Sequence, residues 1–73
     1  SAELKQLKGL SKEEINAIVP ASNSMQTYQA LVEVVEKASE DNLSQAQLIS
    51  KIKSLGTSAI KLAKKIPSWA ALF

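Results

Sequence analysis

One short pattern occurs twice in this chain, and it decides most of what the chain can fold into. Leu10-Ser11-Lys12-Glu13-Glu14-Ile15 and Leu43-Ser44-Gln45-Ala46-Gln47-Leu48 each place a serine three residues before a glutamate or glutamine, with aliphatic residues flanking the set. This is the chemistry of a helix start. The serine hydroxyl accepts from the backbone N–H three residues on, and the Glu or Gln side chain accepts in return from the serine N–H. The flanking aliphatic residues pack on each other as a staple. Helix origins are therefore expected at Ser11 and Ser44. The likeness ends with the capping residues, so it is a shared solution and not a duplication.

Stop signals cut the rest of the chain to match. Gly9 offers a left-handed end to a short helix at 2–8, with Leu4 and Leu7 on one side. Pro20 ends a helix at 12–19, because the residue before a proline avoids helical angles. Pro20 to Asn23 reads as a turn, and Ser24 as the cap of a helix at 25–39. Tyr28, Leu31, Val32, Val35 and Ala38 recur there at three- and four-residue spacing, with Glu33 and Lys37 as an outward i,i+4 pair. Leu48, Ile49, Ile52 and Leu55 line one face of a helix at 45–55, which Gly56 terminates. Thr57 or Ser58 then caps a helix at 58–66, stopped by Pro67. A last turn at 68–73, capped by Ser68, sets Trp69, Leu72 and Phe73 on one side. The expected fold is all-α, a compact bundle of four to five short helices in one domain, 1–73.

With 73 residues the chain is one domain at most. A domain of this size buries only about 60% of the surface its unfolded chain exposes. It has no cysteine and no histidine, hence no disulfide and none of the usual zinc ligand sets. Tyr28, Trp69 and Phe73 are its aromatic residues, so the core must be aliphatic. No apolar run approaches the roughly 20 residues that span a bilayer as a helix. The opening SAELKQLKG lacks the basic-then-apolar order of a signal peptide.

A net charge of +2 conceals a sharp division. Residues 1–41 carry four lysines against seven acids, a balance of −3, while residues 42–73 carry five lysines and no acid, +5. Asymmetry of this kind points to an anionic partner, unless the acidic half lies across from the basic half and complements it.

Catalysis is not expected, and no cofactor is implied. There is no histidine, no cysteine and no glycine-rich loop to cradle phosphate. Ser58-Ala-Ile-Lys61 and Ser50-Lys51-Ile52-Lys53 both match the S-x-x-K pattern of penicillin-recognising enzymes, without the companion motifs. Nucleic-acid binding ranks low among the binding readings. Residues 45–66 loosely resemble a helix-turn-helix that would set Lys61, Lys64 and Lys65 toward phosphates. The chain contains no arginine, however, the commonest reader of guanine.

A lipid surface fits the basic half better. An interfacial helix needs an apolar arc, a lysine-rich face and an aromatic edge. At about 100° per residue, Ala59, Ile60, Leu62, Ala63 and Ile66 occupy one arc and Lys61, Lys64 and Lys65 the other. Trp69 and Phe73 follow. In a bundle the same arc would be core, with both aromatics locking the last turn onto it. The overall profile, about 70 residues with four or five short helices, basic and cysteine-free, is similar to that of saposin-like helical bacteriocins, including circular ones. It departs from them in its seven acids and polar helix faces. The leading expectation is a cationic, membrane- or lipid-active protein of antimicrobial or bacteriocin type, secreted in preference to cytoplasmic. Lys51, Lys53, Lys61, Lys64 and Lys65 would attract anionic headgroups, and Trp69 with Phe73 would anchor at the interface. A non-catalytic module that presents a helix face to another protein is the alternative, with the acidic face of 25–39 and the basic face of 58–66 both on offer.

Overall fold

Local chemistry lays out the helices, and one of them organises the rest. The computed structural model describes residues 2–19 and 22–73, leaving out Ser1, Pro20 and Ala21. Among the described residues there are five α-helices and no strand: α1 (Ala2–Lys8), α2 (Lys12–Ile18), α3 (Ser24–Glu40), α4 (Gln45–Ser54) and α5 (Thr57–Ala63), followed by a single 3₁₀ turn at Ala70–Leu72. α3, at 17 residues, is the longest and packs against each of the other four helices, while α5 also packs on α2 and α4. The radius of gyration is 11.2 Å, about the value for a folded chain of this length, so the helices close on one another as a bundle.

Both capping boxes form as expected. The Ser11 hydroxyl accepts from the Glu14 N–H at 3.1 Å, and Glu14 Oε1 accepts from the Ser11 N–H at 3.0 Å. At Ser44 the corresponding distances to Gln47 are 3.2 and 2.9 Å. α2 ends at Ile18, where Val19 turns to extended backbone (φ −121°, ψ 141°), the conformation that a following proline imposes. The expected stop at Pro20 and the first half of the turn at 20–23 lie outside the described residues.

The other helix ends depart from expectation in instructive ways. Ser24 is not a cap. It is the first residue of α3, 2% exposed, and its hydroxyl donates to Asn16 Oδ1 at 2.6 Å, tying α3 to α2. Asn23 precedes it without a side-chain cap. Gly9 does not take a left-handed conformation, and Gly56 is the glycine with positive φ. The Gly9 N–H donates instead to the Lys5 and Gln6 carbonyls, tightening the last turn of α1. The left-handed stop falls at Asn42 (φ 53°). The Leu43 N–H donates to Ala38 O and the Asn42 N–H to Ser39 O, the paired bonds of a Schellman ending for α3. Leu43 thus closes one helix and, as the residue before Ser44, begins the staple of the next.

Neither Thr57 nor Ser58 caps α5. Gly56 does so, at φ 107° and ψ 178°, a backbone region essentially confined to glycine. α5 ends at Ala63, after which Lys65 and Ile66 donate to carbonyls three residues back. The course expected to run to 66 thus finishes as a tightened turn. Ser68 does not cap the final turn either, since that position is Trp69; the Ser68 hydroxyl lies 3.4 Å from Glu3 Oε2. The Glu33–Lys37 pair gives way to Lys37–Asp41 at 3.6 Å.

The core is aliphatic, as the composition requires, with one aromatic exception. Leu7, Ile15, Leu31, Val35, Ile52, Leu62, Ala63 and Ile66 form a continuous cluster, and Trp69, 1% exposed, completes it. Full burial of each large aliphatic side chain contributes about 1.5–3 kcal/mol. Tyr28 packs at the edge of the cluster and donates its hydroxyl proton to the Leu7 carbonyl at 3.0 Å, joining α3 to the end of α1.

Candidate functional site

The seven residues that the sequence singles out do not form one surface. Lys61 projects from α5, and Lys64 and Lys65 from the turn that follows, all three exposed. They share a side because Ala59, Leu62, Ala63 and Ile66 take the opposite arc into the core. The lysine face of the C-terminal half is therefore real, and it belongs to α5. Lys51 and Lys53 are exposed as well, but two residues apart on a helix they diverge by about 200°. Lys51 borders the groove between α3 and α4, while Lys53 lies on the other flank of α4.

The aromatic pair divides too. Trp69 is in the core of the folded protein and offers no interfacial anchor there. Phe73 is half-buried against the same core. The tail residue that does reach solvent is Leu72, 40% exposed, beside a shallow surface hollow lined by Gln45, Ala46 and Ile49. Sequence spacing grouped Leu72 with Trp69 and Phe73 but gave no means of choosing which would face outward. Leu72, Leu55 and Met25 are the large apolar residues exposed among those described.

Little neutralises the lysine face. Among the described residues the ion pairs are Lys8–Glu36 at 3.4 Å and Lys37–Asp41 at 3.6 Å. Both lie within the acidic half, so no ion pair joins it to the lysines of 42–73. Lys65 makes itself felt at Glu14. The Glu14 carboxyl is held below the usual glutamate range first by the Ser11 N–H and then by the Ser11 hydroxyl; slight desolvation opposes this, and the Lys65 ammonium adds a last, smaller pull downward.

α4 and α5 meet across Leu55 and Gly56, but α5 has only seven residues, about two turns of reading surface. No helix among the described residues is long and apolar enough to cross a membrane, and none of their His, Cys, Asp and Glu side chains cluster in threes as metal ligands would. The chain matches no known protein-family model, and no characterised protein or solved structure is significantly similar to it.

Proposed function

We propose that this protein acts at anionic membrane or lipid surfaces, as a small cationic helical protein of antimicrobial or bacteriocin type, with residues 44–73 as the acting half. The observation that carries this reading is the exposed arc of Lys61, Lys64 and Lys65, free of ion pairs among the described residues and backed by a purely apolar arc.

The buried Trp69 makes the action a two-stage one. Anionic lipid contributes roughly 1 kcal/mol per lysine near the surface, about 3 kcal/mol for the α5 face. Removing a buried tryptophan from a core costs about 3–5 kcal/mol. Adsorption through lysine therefore does not by itself extract Trp69, and the folded protein docks first with its apolar arc still inside. Insertion needs the lipid to take up that arc as the turn after Pro67 opens, which returns the lost burial as acyl-chain contact.

The test uses vesicles of anionic and of zwitterionic lipid. Dye leakage is expected from the anionic vesicles alone, at micromolar protein and low salt. Trp69, the single tryptophan, should become quenchable by bromine-labelled acyl chains as leakage begins. Equal and negligible leakage from both vesicle types would sink the reading. Leakage without quenching would retain the lipid surface and remove the opening step.

A further inference from the structure

A second feature lies where α3 of the acidic half meets α4 of the basic half. α3 and α4 enclose an open groove of about 610 Å³. Its floor is apolar, from Ala30, Val34 and Leu55, and Leu55 is 38% exposed. Glu33, Glu36 and Glu40 form its acidic rim. Two lysines also border it, but Lys37 is turned to Asp41, and Lys51 stands on the α4 side. Glu36 pairs with Lys8, whereas Glu33 and Glu40 have no ion pair among the described residues. The groove is thus suited to a cationic helix face with an apolar edge.

This chain carries such a face. Lys64 and Lys65 lie three and four residues after Lys61, the same offsets that separate Glu33 from Glu36 and Glu36 from Glu40. With a rise of about 1.5 Å per residue, the three lysines span roughly 6 Å, one step of the acidic row, which runs roughly 10.5 Å from Glu33 to Glu40. Ile60, half-buried, borders the lysine arc and supplies an apolar edge for the floor. The two faces do not meet within one molecule, because α3 and α5 pack on each other through their buried sides and turn these rows outward.

We propose that the acidic groove of α3 and α4 receives the α5 lysine face of a second copy of this chain. The contact is heterologous: one copy's groove takes the next copy's lysines and leaves a groove and a lysine face free at the ends. Such a contact propagates into a ring or an open chain of copies. Its attraction is between exposed charges, so it is strong where the Debye length is about 30 Å, at about 0.01 M salt, and largely screened where it is about 3 Å, at about 1 M.

Sedimentation velocity without lipid tests this directly, so the outcome does not depend on membrane activity. Wild-type protein is expected to sediment faster with rising concentration at about 0.01 M salt and as a monomer at about 1 M. Lys61→Glu/Lys64→Glu and Glu33→Lys/Glu40→Lys should each be monomeric alone at low salt. Their equimolar mixture should associate again, because each variant then meets a partner of opposite sign at both faces. Lys5→Glu/Lys53→Glu makes the same change in net charge outside the two faces and should still associate. A wild type that stays monomeric at low salt overturns the proposal. So does association of either face variant alone, a mixture that fails to associate, or a Lys5/Lys53 control that is monomeric. Circular dichroism verifies the helical fold of each variant. If a double variant loses that signal, Lys61→Glu and Glu40→Lys singly, and then mixed, pose the same question, with weaker association alone and recovery on mixing expected.

Discussion

The two halves of this molecule are built from the same parts and charged in opposite senses. Each has a capping box, a glycine near a helix end and an aliphatic stripe, yet the balance is −3 over residues 1–41 and +5 over 42–73. The boxes make the comparison sharp. Glu14 returns to the Ser11 N–H at 3.0 Å and Gln47 to the Ser44 N–H at 2.9 Å, so an amide does the geometric work of a carboxylate. Capping therefore does not require an acid in the first half or forbid one in the second. The segregation of charge belongs to the surfaces the molecule presents, separately from the devices that fold it.

The largest test of how the halves are joined is at Trp69. The C-terminal half closes on the core through this side chain, which borders a cleft with Val35 and Ala38 of α3 and Leu48 of α4. Trp69→Ala is expected to cost about 3–5 kcal/mol. A domain of this size has only about 4–11 kcal/mol in all, so the variant should unfold at much lower urea, as followed by helical circular dichroism. A change below about 1 kcal/mol would show that the tail is merely laid against the bundle.

The two glycines set the halves apart next. Gly56 has φ 107°, and an added Cβ would meet nothing within 4 Å, so its cost is backbone strain and not a clash. Gly56→Ala is expected to destabilise by about 1–3 kcal/mol. An added Cβ at Gly9 would sit 3.4 Å from the Lys5 and Gln6 carbonyls, ordinary contact, with no positive φ to relieve. Gly9→Ala should be neutral or stabilise by up to about 1 kcal/mol, through a less flexible unfolded chain. Thermal melts of the two variants should move in opposite directions, or the second should not move at all. Equal losses would mean that the two stops are alike after all.

These glycines also mark how far the sequence could be read. Short-range chemistry was legible: the boxes at Ser11 and Ser44, the stripe of α3 and the lysine arc of α5 depend on residues within one or two turns, and all are in the structure. What depended on long-range partners was not. Ser24 reads as a cap by type, but Asn16, eight residues back, takes its hydroxyl into the α2–α3 contact. The left-handed stop lies at Asn42 and not at Gly9, because the Schellman bonds form where Leu43 must turn into the next staple. Trp69 has the chemistry of an interfacial anchor, and only the arrangement of α3 and α4 around it puts it inside. The exposed tail residue, Leu72, gave no sequence signal beyond the spacing that it shares with Trp69.

The boxes themselves provide the finest test. Ser11→Ala and Ser44→Ala each remove a hydroxyl acceptor from a helix start and should cost about 1 kcal/mol, close to equal because the bond lengths are close to equal. Acid should then separate them. Glu14 titrates below the usual glutamate range because the Ser11 N–H, and then the Ser11 hydroxyl, favour its charged form. A carboxyl depressed in the folded state contributes its stability in full above the unfolded value of about 4.3. It loses that contribution as pH falls through the unfolded value and then the lower folded one. Gln47 has no proton to gain. The Ser44→Ala loss, measured by urea unfolding, should therefore be the same at neutral pH and in acid, while the Ser11→Ala loss should shrink below about pH 4. Glu14→Gln should make the first box behave like the second, keeping its cap and flattening that part of the pH dependence. A pH-independent Ser11→Ala loss would mean that the Ser11 hydroxyl does not favour the charged form of Glu14, whose depression then rests on the Ser11 N–H.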